Sequence, residues 1–530
     1  MIDSKNIPII DLFAGPGGLA EGFSSLVNDD NERYFNVKLS IEKDIHAHQT
    51  LKLRSFVRQF PYKKLPDEYY QFLKSDITID ELYEKYPDKL REASMEAWCA
   101  TLGQTPEEEI DSRISDNLKD EKNWVLIGGP PCQAYSLAGR SRVGGIDEND
   151  HRVHLYKEYL RIIARHQPAV FVMENVKGLL SANVDGEKIF KKILRDLTDP
   201  SSVFPEFESQ SYRIYSLVKE VVSKDSDYLI RSEEYGVPQK RHRVILIGVR
   251  SDIDIRPATL NISKKNDLKS VIGKLPPVRS GLYREFLSSK MVVTDTGFKK
   301  KRTYAALKDS FEGWAERVRK YKEELLTVFE EMGHPVEFSP DLPELIGKEY
   351  FETNGTLSFE HPLYTWYIDD KLNAALHHES RGHLSQDLKR YMFAALYTKT
   401  FKKFPRMDDY KRFGKDLLPD HENAESGKFN DRFRVQLPDD AATTVTSHIS
   451  KDGHYFIHYD PSQCRSLTVR EAARIQTFPD NYFFCGSRTQ QFHQVGNAVP
   501  PYLAYQIAEI VHGILDPLKN YVLKEPELFS

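Results

Sequence analysis

Residues 7–26 read IPIIDLFAGPGGLAEGFSSL, an apolar segment followed by a glycine-rich turn and a second apolar segment. Ile7–Phe13 has the continuous apolar composition of a buried strand, and Leu19–Leu26 has the pattern of a helix. Glycines between them allow a ligand to lie against backbone N–H groups at the start of the helix. This stretch therefore predicts the first unit of an α/β sheet that binds a nucleotide-like molecule at its strand ends.

A second predicted strand, residues 37–41, ends in an acidic residue. Glu42 is then placed to accept hydrogen bonds from ribose hydroxyls. The alternative is that Glu42 is a surface carboxylate. We predict that Ser75-Asp76-Ile77 ends a third strand and that Asp76 accepts from an adenine amino group, although Asp76 in this sequence also suits a helix cap. The charged, helical pattern of residues 51–121 predicts a surface insertion without chemistry.

Residues 125–140 read VLIGGPPCQAYSLAGR and place a cysteine directly after a strand and a rigid turn. The apolar residues 124–127 predict the strand, and two glycines and two prolines end it. A cysteine fixed there, ahead of a segment rich in Gly and Ser, suits a nucleophile. The alternative for Cys132 is a buried structural thiol.

Polar residues follow two further predicted strands. The buried strand Ala169–Met173 ends at Glu174, and because parallel strand ends face one crevice, we expect Glu174 and Cys132 to share a pocket. Gln239, Arg241 and Arg243 alternate along an extended segment and so share one face. Arginines that enter a buried strand need an anionic or polar partner.

Composition limits the class of protein. The 530 residues suffice for two or more domains, and 74 basic against 79 acidic side chains give a net charge of −5, so any nucleic-acid surface is local. Four cysteines, without zinc spacing, favour a reducing compartment and no metal site. We see no secretory signal and no apolar run of membrane-spanning length, so we expect a cytoplasmic protein without membrane partners.

The pattern changes between residues 251 and 450, where the predicted strands are short and poorly defined. Basic and aromatic residues mix at 298–304 and 389–406, which suits phosphate contact and base stacking or else a solvated helix face. The histidines of residues 377–383 lack the HExxH spacing and are expected to be structural or DNA-facing. Thr468 and Glu471 predict a capping box, and Tyr502–Gly513 predicts a final helix.

Six motifs together resemble the DNA (cytosine-5-)-methyltransferase family: DLFAGPGG, GGPPCQAYS, ENVKGLL, the 239–243 run, RSLTVREAARIQTFP and QVGNAVP, in this order. The resemblance implies an α/β fold with a Rossmann-like S-adenosylmethionine-dependent methyltransferase domain, a mixed, mostly parallel sheet and a smaller irregular target-recognition domain. Residues 1–250 would form the catalytic domain with its insertion at 51–121, residues 251–450 the target-recognition domain, and residues 451–530 would return to the catalytic domain.

The resemblance also implies ligands. The methyl donor would be S-adenosylmethionine, held by Phe13, Ala14, Gly15, Gly17, Gly18, Leu19, Glu42, Asp76, Ile77, Pro130, Asn497, Ala498 and Val499. The substrate would be double-stranded DNA, contacted by Gln133, Ser136, Arg140 and Gln239. We expect a monomer, with cognate restriction or phage-defence proteins as candidate partners.

The resemblance also implies a mechanism. The Cys132 thiolate would add to carbon 6 of a flipped-out cytosine and so activate carbon 5. Glu174 would bond the ring nitrogen 3 edge, Arg243 would hold the carbonyl oxygen and Arg241 would support that wall of the pocket. The sequence does not identify the base that removes the carbon 5 proton.

Three other functions compete. A nicotinamide oxidoreductase shares the glycine turn and Glu42 but gives no reason for the cysteine, glutamate and arginine motifs. An RNA methyltransferase of the tRNA-aspartate branch uses the same catalytic parts, but the long 251–450 region favours reading of duplex DNA. A non-catalytic DNA-binding relative would have lost a nucleophile or cofactor residue, whereas Cys132, Glu174 and Asn497 are all present.

Overall fold

The computed structural model describes residues 6–131, 151–184, 187–294, 297–339, 341–420 and 432–516. A sheet of eight strands lies at its centre. In chain order these strands are β1 Ile7–Leu12, β2 Phe35–Glu42, β3 Ala97–Cys99, β4 Val125–Gly128, β5 Val170–Val176, β6 Tyr212–Ser216, β7 Leu229–Arg231 and β8 His242–Arg250.

The strands are ordered β3-β2-β1-β4-β5-β8-β6, with β7 also paired to β8. Strands β1 to β5 are parallel, and β8 is antiparallel to β5, β6 and β7. The order reverses at β1, as in a doubly wound sheet, so the C-terminal ends of β1, β4 and β5 adjoin one crevice. The predicted Rossmann-like α/β fold with a mixed, mostly parallel sheet is confirmed.

Helices cover both faces of the sheet and extend through the second half of the chain. They are α1 Gly18–Ser24, α2 Ile45–Arg58, α3 Asp67–Lys74, α4 Ile79–Glu84, α5 Pro87–Glu96, α6 Glu107–Leu118, α7 His151–His166, α8 Ile189–Thr198, α9 Leu268–Ile272, α10 Phe311–Glu331, α11 Tyr364–Tyr367, α12 Ser385–Phe401, α13 Met407–Phe413, α14 Val469–Ile475, α15 Arg488–Asn497 and α16 Pro501–Leu515. Helices α6 to α8 pack on one face of the sheet, and α1 and α16 pack on the other. None of the helices in the described ranges combines the length and apolar character that crossing a bilayer requires.

The segment 51–121 is not only a surface insertion. It contains β3, an edge strand of the central sheet, and helix α6, whose residues Ile110, Ile114 and Leu118 are buried in the core beneath the sheet. The charged majority of these residues faces solvent, which hides the four-residue apolar spacing from a reading of composition. The prediction is therefore wrong for β3 and α6.

The strands after residue 280 are longer than predicted. β9 Gly281–Thr294 and β10 Gly297–Ala306 form an antiparallel ribbon, while β11 Gly347–Glu352 pairs with β12 Ala374–Glu379, and β13 Gly382–Leu384 pairs with the base of β9. The ribbon is largely exposed, so its sequence lacks the apolar alternation by which a half-buried strand is recognised.

The tyrosines of the 389–406 cluster and the histidines of residues 377–383 are buried, whereas Lys399, Lys402, Lys403 and Arg406 of the same cluster are exposed. Tyr391 and Tyr397 of helix α12 lie in a core with helices α10 and α13, so they are not free to stack on bases. The ring of His378 is bonded to Thr468 and to the carbonyl of Pro276, and His377 and His383 are also buried, so these histidines are structural.

The last part of the chain returns to the first unit of the sheet. Thr468 and Glu471 form the predicted capping box of α14, and the predicted final helix is α16. Two glycines allow α1 to meet the residues before and within α16 closely. A Cβ on Gly18 would lie 2.3 Å from the carbonyl oxygen of Val499, and one on Gly22 would lie 2.4 Å from that of Pro501.

Candidate active site

The turn after β1, residues 13–17, is an open loop, and its first contact is with β2. Phe13, Gly15 and Gly17 all have positive φ angles, of 56°, 58° and 92°. The Ala14 N–H donates to the carbonyl of Ile41 in β2 at 3.1 Å, which joins the turn to the neighbouring strand. A Cβ on Gly15 would meet no atom within 4 Å, so this point of the turn faces open space that a ligand can fill.

Glu42, at the end of β2, holds the turn from the side. One carboxylate oxygen accepts from the Gly15 N–H at 2.8 Å, and the other accepts from the Asp44 N–H at 2.8 Å. Each oxygen has further lone pairs, so this arrangement orients the carboxylate and leaves it able to accept from a ligand. Sequence reasoning identified Glu42 but not this bond to Gly15.

Residues 497–499 lie on the other side of the turn, although they are remote in sequence. Val499 and Ala498 pack against Gly18, and the side chain of Asn497 is exposed at the end of α15. The structure therefore brings together the predicted donor-binding residues of the two chain ends. Leu19 is buried in the core between the sheet and α16, where it supports the helix start.

Tyr482 is a residue of this site that the sequence analysis missed. Its hydroxyl donates to the carbonyl of Pro16, and its ring packs against the Arg54 guanidinium at 4.4 Å. Arg54 in turn pairs with Glu21 of α1 at 2.6 Å. A tyrosine in a loop far along the chain carries no sequence signal for such a contact.

The prediction that Asp76 and Ile77 lie at the end of a strand is wrong. These residues lie in the turn between α3 and α4, not at a strand end, and Ile77 packs in a separate cluster of helical residues. The third strand is β3, which pairs Cys99 with Glu42. A β3 of three residues within a charged helical stretch is too short to recognise, whereas Ser75-Asp76-Ile77 precedes the capping box of α4.

The second part of the site lies at the ends of β5 and β8. The Oε1 atom of Glu174 is 2.7 Å from Nε of Arg243, and both side chains are mostly buried. In the antiparallel pairing Glu174 lies opposite Ile245, two residues from Arg243, so the two side chains share one face as diagonal neighbours. The ion pair fixes the carboxylate at the edge of the crevice.

The segment after β4 packs directly against this carboxylate. A Cβ on Gly129 would lie 3.0 Å from Oε2 of Glu174, so glycine is what allows the close approach. The side-chain amide of Asn175 donates to the carbonyl of Pro130 at 3.3 Å. Asn175, which was missed as a positioning residue, thus ties the end of β5 to the segment that precedes Cys132.

Several predicted site residues fall in the range 132–150, outside the described residues. They are the proposed nucleophile Cys132 and the proposed DNA contacts Gln133, Ser136 and Arg140. Their roles stay predictions. Within the described residues, no group of three or more His, Cys, Asp and Glu side chains has the geometry of a metal site.

Arg241 connects three segments that are distant in sequence. Its guanidinium donates to the carbonyl of Val445 at 2.9 Å and to the carbonyl of Gly496 at 3.3 Å. Gly496 is packed so closely under the 446–447 segment that a Cβ would lie 2.3 Å from the backbone nitrogen of Ser447. Burial lowers the pKa of Arg241 well below its usual value; Arg243 lowers it further and Glu174 opposes the shift.

Gln239 was predicted to contact DNA but is completely buried. Its amide donates to Gln476 at 2.7 Å, and its oxygen accepts from the Val445 N–H at 2.8 Å. The prediction is corrected because these partners, both more than 200 positions away in the chain, occupy the side chain inside the protein.

The two halves of the site adjoin because β4 lies between β1 and β5. The glycine turn follows β1, the segment leading to Cys132 follows β4, and Glu174 lies near the end of β5. A ligand at the turn and a planar polar group at Glu174 and Arg243 would therefore occupy neighbouring places at one edge of the sheet. Such a site can bring two substrates together for group transfer.

Comparisons with known proteins agree with this geometry. The model of the C-5 cytosine-specific DNA methylase family matches residues 88–512. The Type II methyltransferase M.Bpa9945I of Bacillus paralicheniformis is 30% identical over 96% of this chain and 99% of its own length. The DNA (cytosine-5-)-methyltransferase M.ApeKI of Aeropyrum pernix is 27% identical over 74% of this chain and 81% of its own length.

A solved structure supports the fold alone. The crystal structure of a DNA modification methyltransferase encoded within an E. coli prophage has a TM-score of 0.51 at 19% identity, covering 96% of this chain and 99% of that chain. The family match extends over most of the chain, including the Glu174–Arg243 pair and the 497–499 segment. This chain belongs to the C-5 cytosine-specific DNA methylase family and is a DNA (cytosine-5-)-methyltransferase.

Proposed function

We propose that the enzyme transfers a methyl group from S-adenosylmethionine to carbon 5 of a flipped-out cytosine in a specific duplex sequence, through a covalent Cys132 adduct. The observation that carries this proposal is the Glu174 carboxylate, fixed by Arg243 and packed against Gly129 three residues before the cysteine. A carboxyl group and a guanidinium held side by side match the N3 and carbonyl edge of a cytosine ring.

The donor would lie at the turn after β1. We propose that Phe13, Ala14, Gly15, Gly17, Glu42, Asn497 and Val499 contact it, and that Gly18, Leu19, Pro130 and Ala498 shape the site. The open space at Gly15 and the oriented Glu42 carboxylate fit a nucleoside moiety, which supports this choice. S-adenosylmethionine, when bound, supplies a sulfonium methyl group.

In the target pocket, the Cys132 thiolate forms a bond to carbon 6 while Glu174 bonds the N3 edge and Arg243 the carbonyl oxygen. The electron pair displaced from the ring makes carbon 5 nucleophilic, and carbon 5 takes the methyl group as its bond to the sulfonium sulfur breaks, which would leave a neutral thioether. Loss of the carbon 5 proton then breaks the bond to sulfur and restores the thiolate. A free thiol of pKa about 8.5 is only a few per cent ionised at neutral pH, so the site must favour the thiolate.

This chemistry requires the cytosine to leave the duplex, at a cost of a few kcal/mol for unstacking and unpairing. We propose that residues 1–250 and 451–530 form the catalytic domain and that residues 251–450 form the target-recognition domain. The Type II names among the relatives support a role in restriction–modification. We propose that a cognate restriction or defence protein accompanies the enzyme. We also propose that the enzyme acts as a monomer in the cytoplasm.

The deciding experiment compares Cys132→Ser with Cys99→Ser, a matched change at an exposed free thiol. Transfer of a tritiated methyl group to duplex DNA and to tRNA is measured for both. We expect Cys132→Ser to lose transfer but to keep binding of S-adenosylmethionine and DNA, and Cys99→Ser to remain active on DNA. Near wild-type turnover by Cys132→Ser would exclude the covalent mechanism, and transfer to tRNA alone would exclude the DNA substrate.

A further inference from the structure

The ribbon formed by β9 and β10 is the most exposed regular structure in the second half of the chain. Its strands pair in register from Arg284 and Ala306 at the base to Thr294 and Gly297 near the tip, with one irregularity between Phe286 and Ser288. Most side chains described on both faces are exposed or half-exposed, so hydrophobic burial does not explain why these strands are so long.

One face of the ribbon carries two opposed lysines. Lys290 and Lys301 are directly paired across the strands, and both are exposed. Like charges directly opposite each other destabilise a strand pair. Among the described residues, no ion pair relieves either lysine, whereas on the opposite face Lys300 and Arg302 both contact Asp420. The cations of the two faces therefore differ: Lys300 and Arg302 are paired within the protein, whereas Lys290 and Lys301 are available to an external anion.

The base of the ribbon is joined through a chain of contacts to Arg241. Gly281 pairs with Gly382, and the preceding Arg381 donates to the carbonyls of Ile449 and Lys451. The turn that contains Ile449 packs against the end of α15 through Gly496, which Arg241 also contacts. The base of the ribbon is thus anchored to the turn that packs beside Arg241, which lies close to Arg243 and Glu174.

We propose that the Lys290 and Lys301 face of the β9–β10 ribbon binds backbone phosphates of the duplex that is being methylated. The partner is DNA rather than an acidic protein because the enzyme's own substrate is a polyanion, and because the ribbon base is linked to Arg241 beside the Glu174–Arg243 pair, to which we assign the target base. A two-stranded ribbon also has the dimensions that a DNA groove admits. This inference rests on the proposed function.

Phosphate contact predicts a specific signature. Each phosphate neutralised by a lysine adds about 0.9 to the slope of the logarithm of affinity against the logarithm of salt concentration. Lys290→Ala/Lys301→Ala should therefore lower that slope by about 1 to 2 between roughly 50 and 200 mM salt. The loss should be similar for target and non-target duplexes, because phosphates carry no sequence information.

The matched control is Lys264→Ala/Lys265→Ala. It removes the same charge from two exposed lysines near Gly236, which lies close to Tyr502 at the start of α16. We expect its salt slope to equal that of the wild type. Thermal unfolding of both variants checks the fold, and the ribbon variant should be at least as stable as the wild type because it loses a repulsion.

A charge reversal separates binding from ribbon stability. Lys301→Glu places an acid opposite Lys290, which should stabilise the ribbon while weakening DNA binding more than the alanine change does. An unchanged slope and affinity for both ribbon variants, with the wild type methylating DNA normally, would overturn the phosphate site alone. Absence of methyl transfer by the wild type would instead overturn the proposed function.

Discussion

Glu174 and Arg243 form an ion pair of 2.7 Å between neighbouring antiparallel strands, and this pair sets the position of the only carboxyl group that we assign to the target pocket. Arg243 also donates to the carbonyl of His242 at 3.0 Å, so the guanidinium is held from two sides. Contacts within the sheet therefore hold the Glu174 carboxylate in position.

Replacement of this carboxylate should abolish most activity. Glu174→Gln keeps the shape but cannot carry the exchangeable proton or the charge, so we expect kcat to fall by about 10²- to 10⁴-fold. Asp252→Asn is the control. It removes the carboxylate that pairs with Arg250 at the other end of β8, where Nε of Arg250 is 2.8 Å from Oδ1 of Asp252. Steady-state methylation of duplex DNA measures both, and equal activity of the two variants would contradict the role of Glu174.

Gly129 offers a test that leaves every polar group in place. An alanine there puts its Cβ 3.0 Å from Oε2 of Glu174 and should displace the carboxylate. We expect Gly129→Ala to lower kcat while the melting temperature changes little. Gly513→Ala, in an open position on α16, is the matched control and should be active and slightly more stable. Full activity of Gly129→Ala would show that the carboxylate position is not critical.

The contact between the chain ends predicts a coupled effect on donor binding and stability. Gly22→Ala inserts a Cβ 2.4 Å from a backbone carbonyl at the start of α16, so the helices must separate. Overpacking of this kind costs about 1–3 kcal/mol. Because the 497–499 segment precedes α16, affinity for S-adenosylmethionine should fall as well, as titration calorimetry and denaturant unfolding would measure. If stability fell while the affinity for S-adenosylmethionine did not change, the packing of α16 would not influence the donor site.

Acid should destabilise the enzyme below pH 6.5. The pKa of His378 is lowered from its usual 6.5 to about 4, chiefly by burial; Glu471 and the Pro276 carbonyl oppose this shift, and Arg465 and Arg474 contribute to it. Between these values the unfolded chain binds the extra proton, so stability falls as the pH drops from 6.5 towards 4. The loss for this one group is about 3 kcal/mol at most.

His378→Gln tests this linkage. The amide can replace both hydrogen bonds, to Thr468 and to Pro276, but it does not titrate. The variant should lose part of the pH dependence of urea unfolding between pH 6.5 and 4, and the remainder should come from other buried histidines whose pKa is also lowered, namely His361, His383, His454 and His458. A pH dependence identical to that of the wild type would contradict the assignment.

The sequence predicted the parts of the site that depend on local order. The glycine turn, Glu42 and Glu174 each follow a strong apolar strand, so their places at strand ends could be inferred directly. Motif resemblance added the 497–499 segment, which no local pattern connects to the turn. Asp76 was misassigned because a helix cap and a strand end both favour a short polar residue before an apolar one.

Burial of polar side chains was not predictable in the same way. Gln239 and Arg241 carry the same alternation as Arg243, yet only Arg243 reaches the crevice. The partners that bury the first two, at Val445, Gln476 and Gly496, come from segments more than 200 positions away. Alternation along one strand indicates a shared face; it does not indicate what another part of the chain places on that face.

Gln239–Lys240 and Ala442–Thr443 are paired as two short parallel strands, so two segments that are far apart in the chain meet directly before Arg241 and β8. Between these two segments the chain first completes β8 of the central sheet and then runs through the β9–β10 ribbon and helices α9 to α13. A segment of another length grafted after β8 would therefore have to end beside Lys240. It would also have to replace the contacts that Val271, Thr356 and His378 make with Arg474 and Thr468.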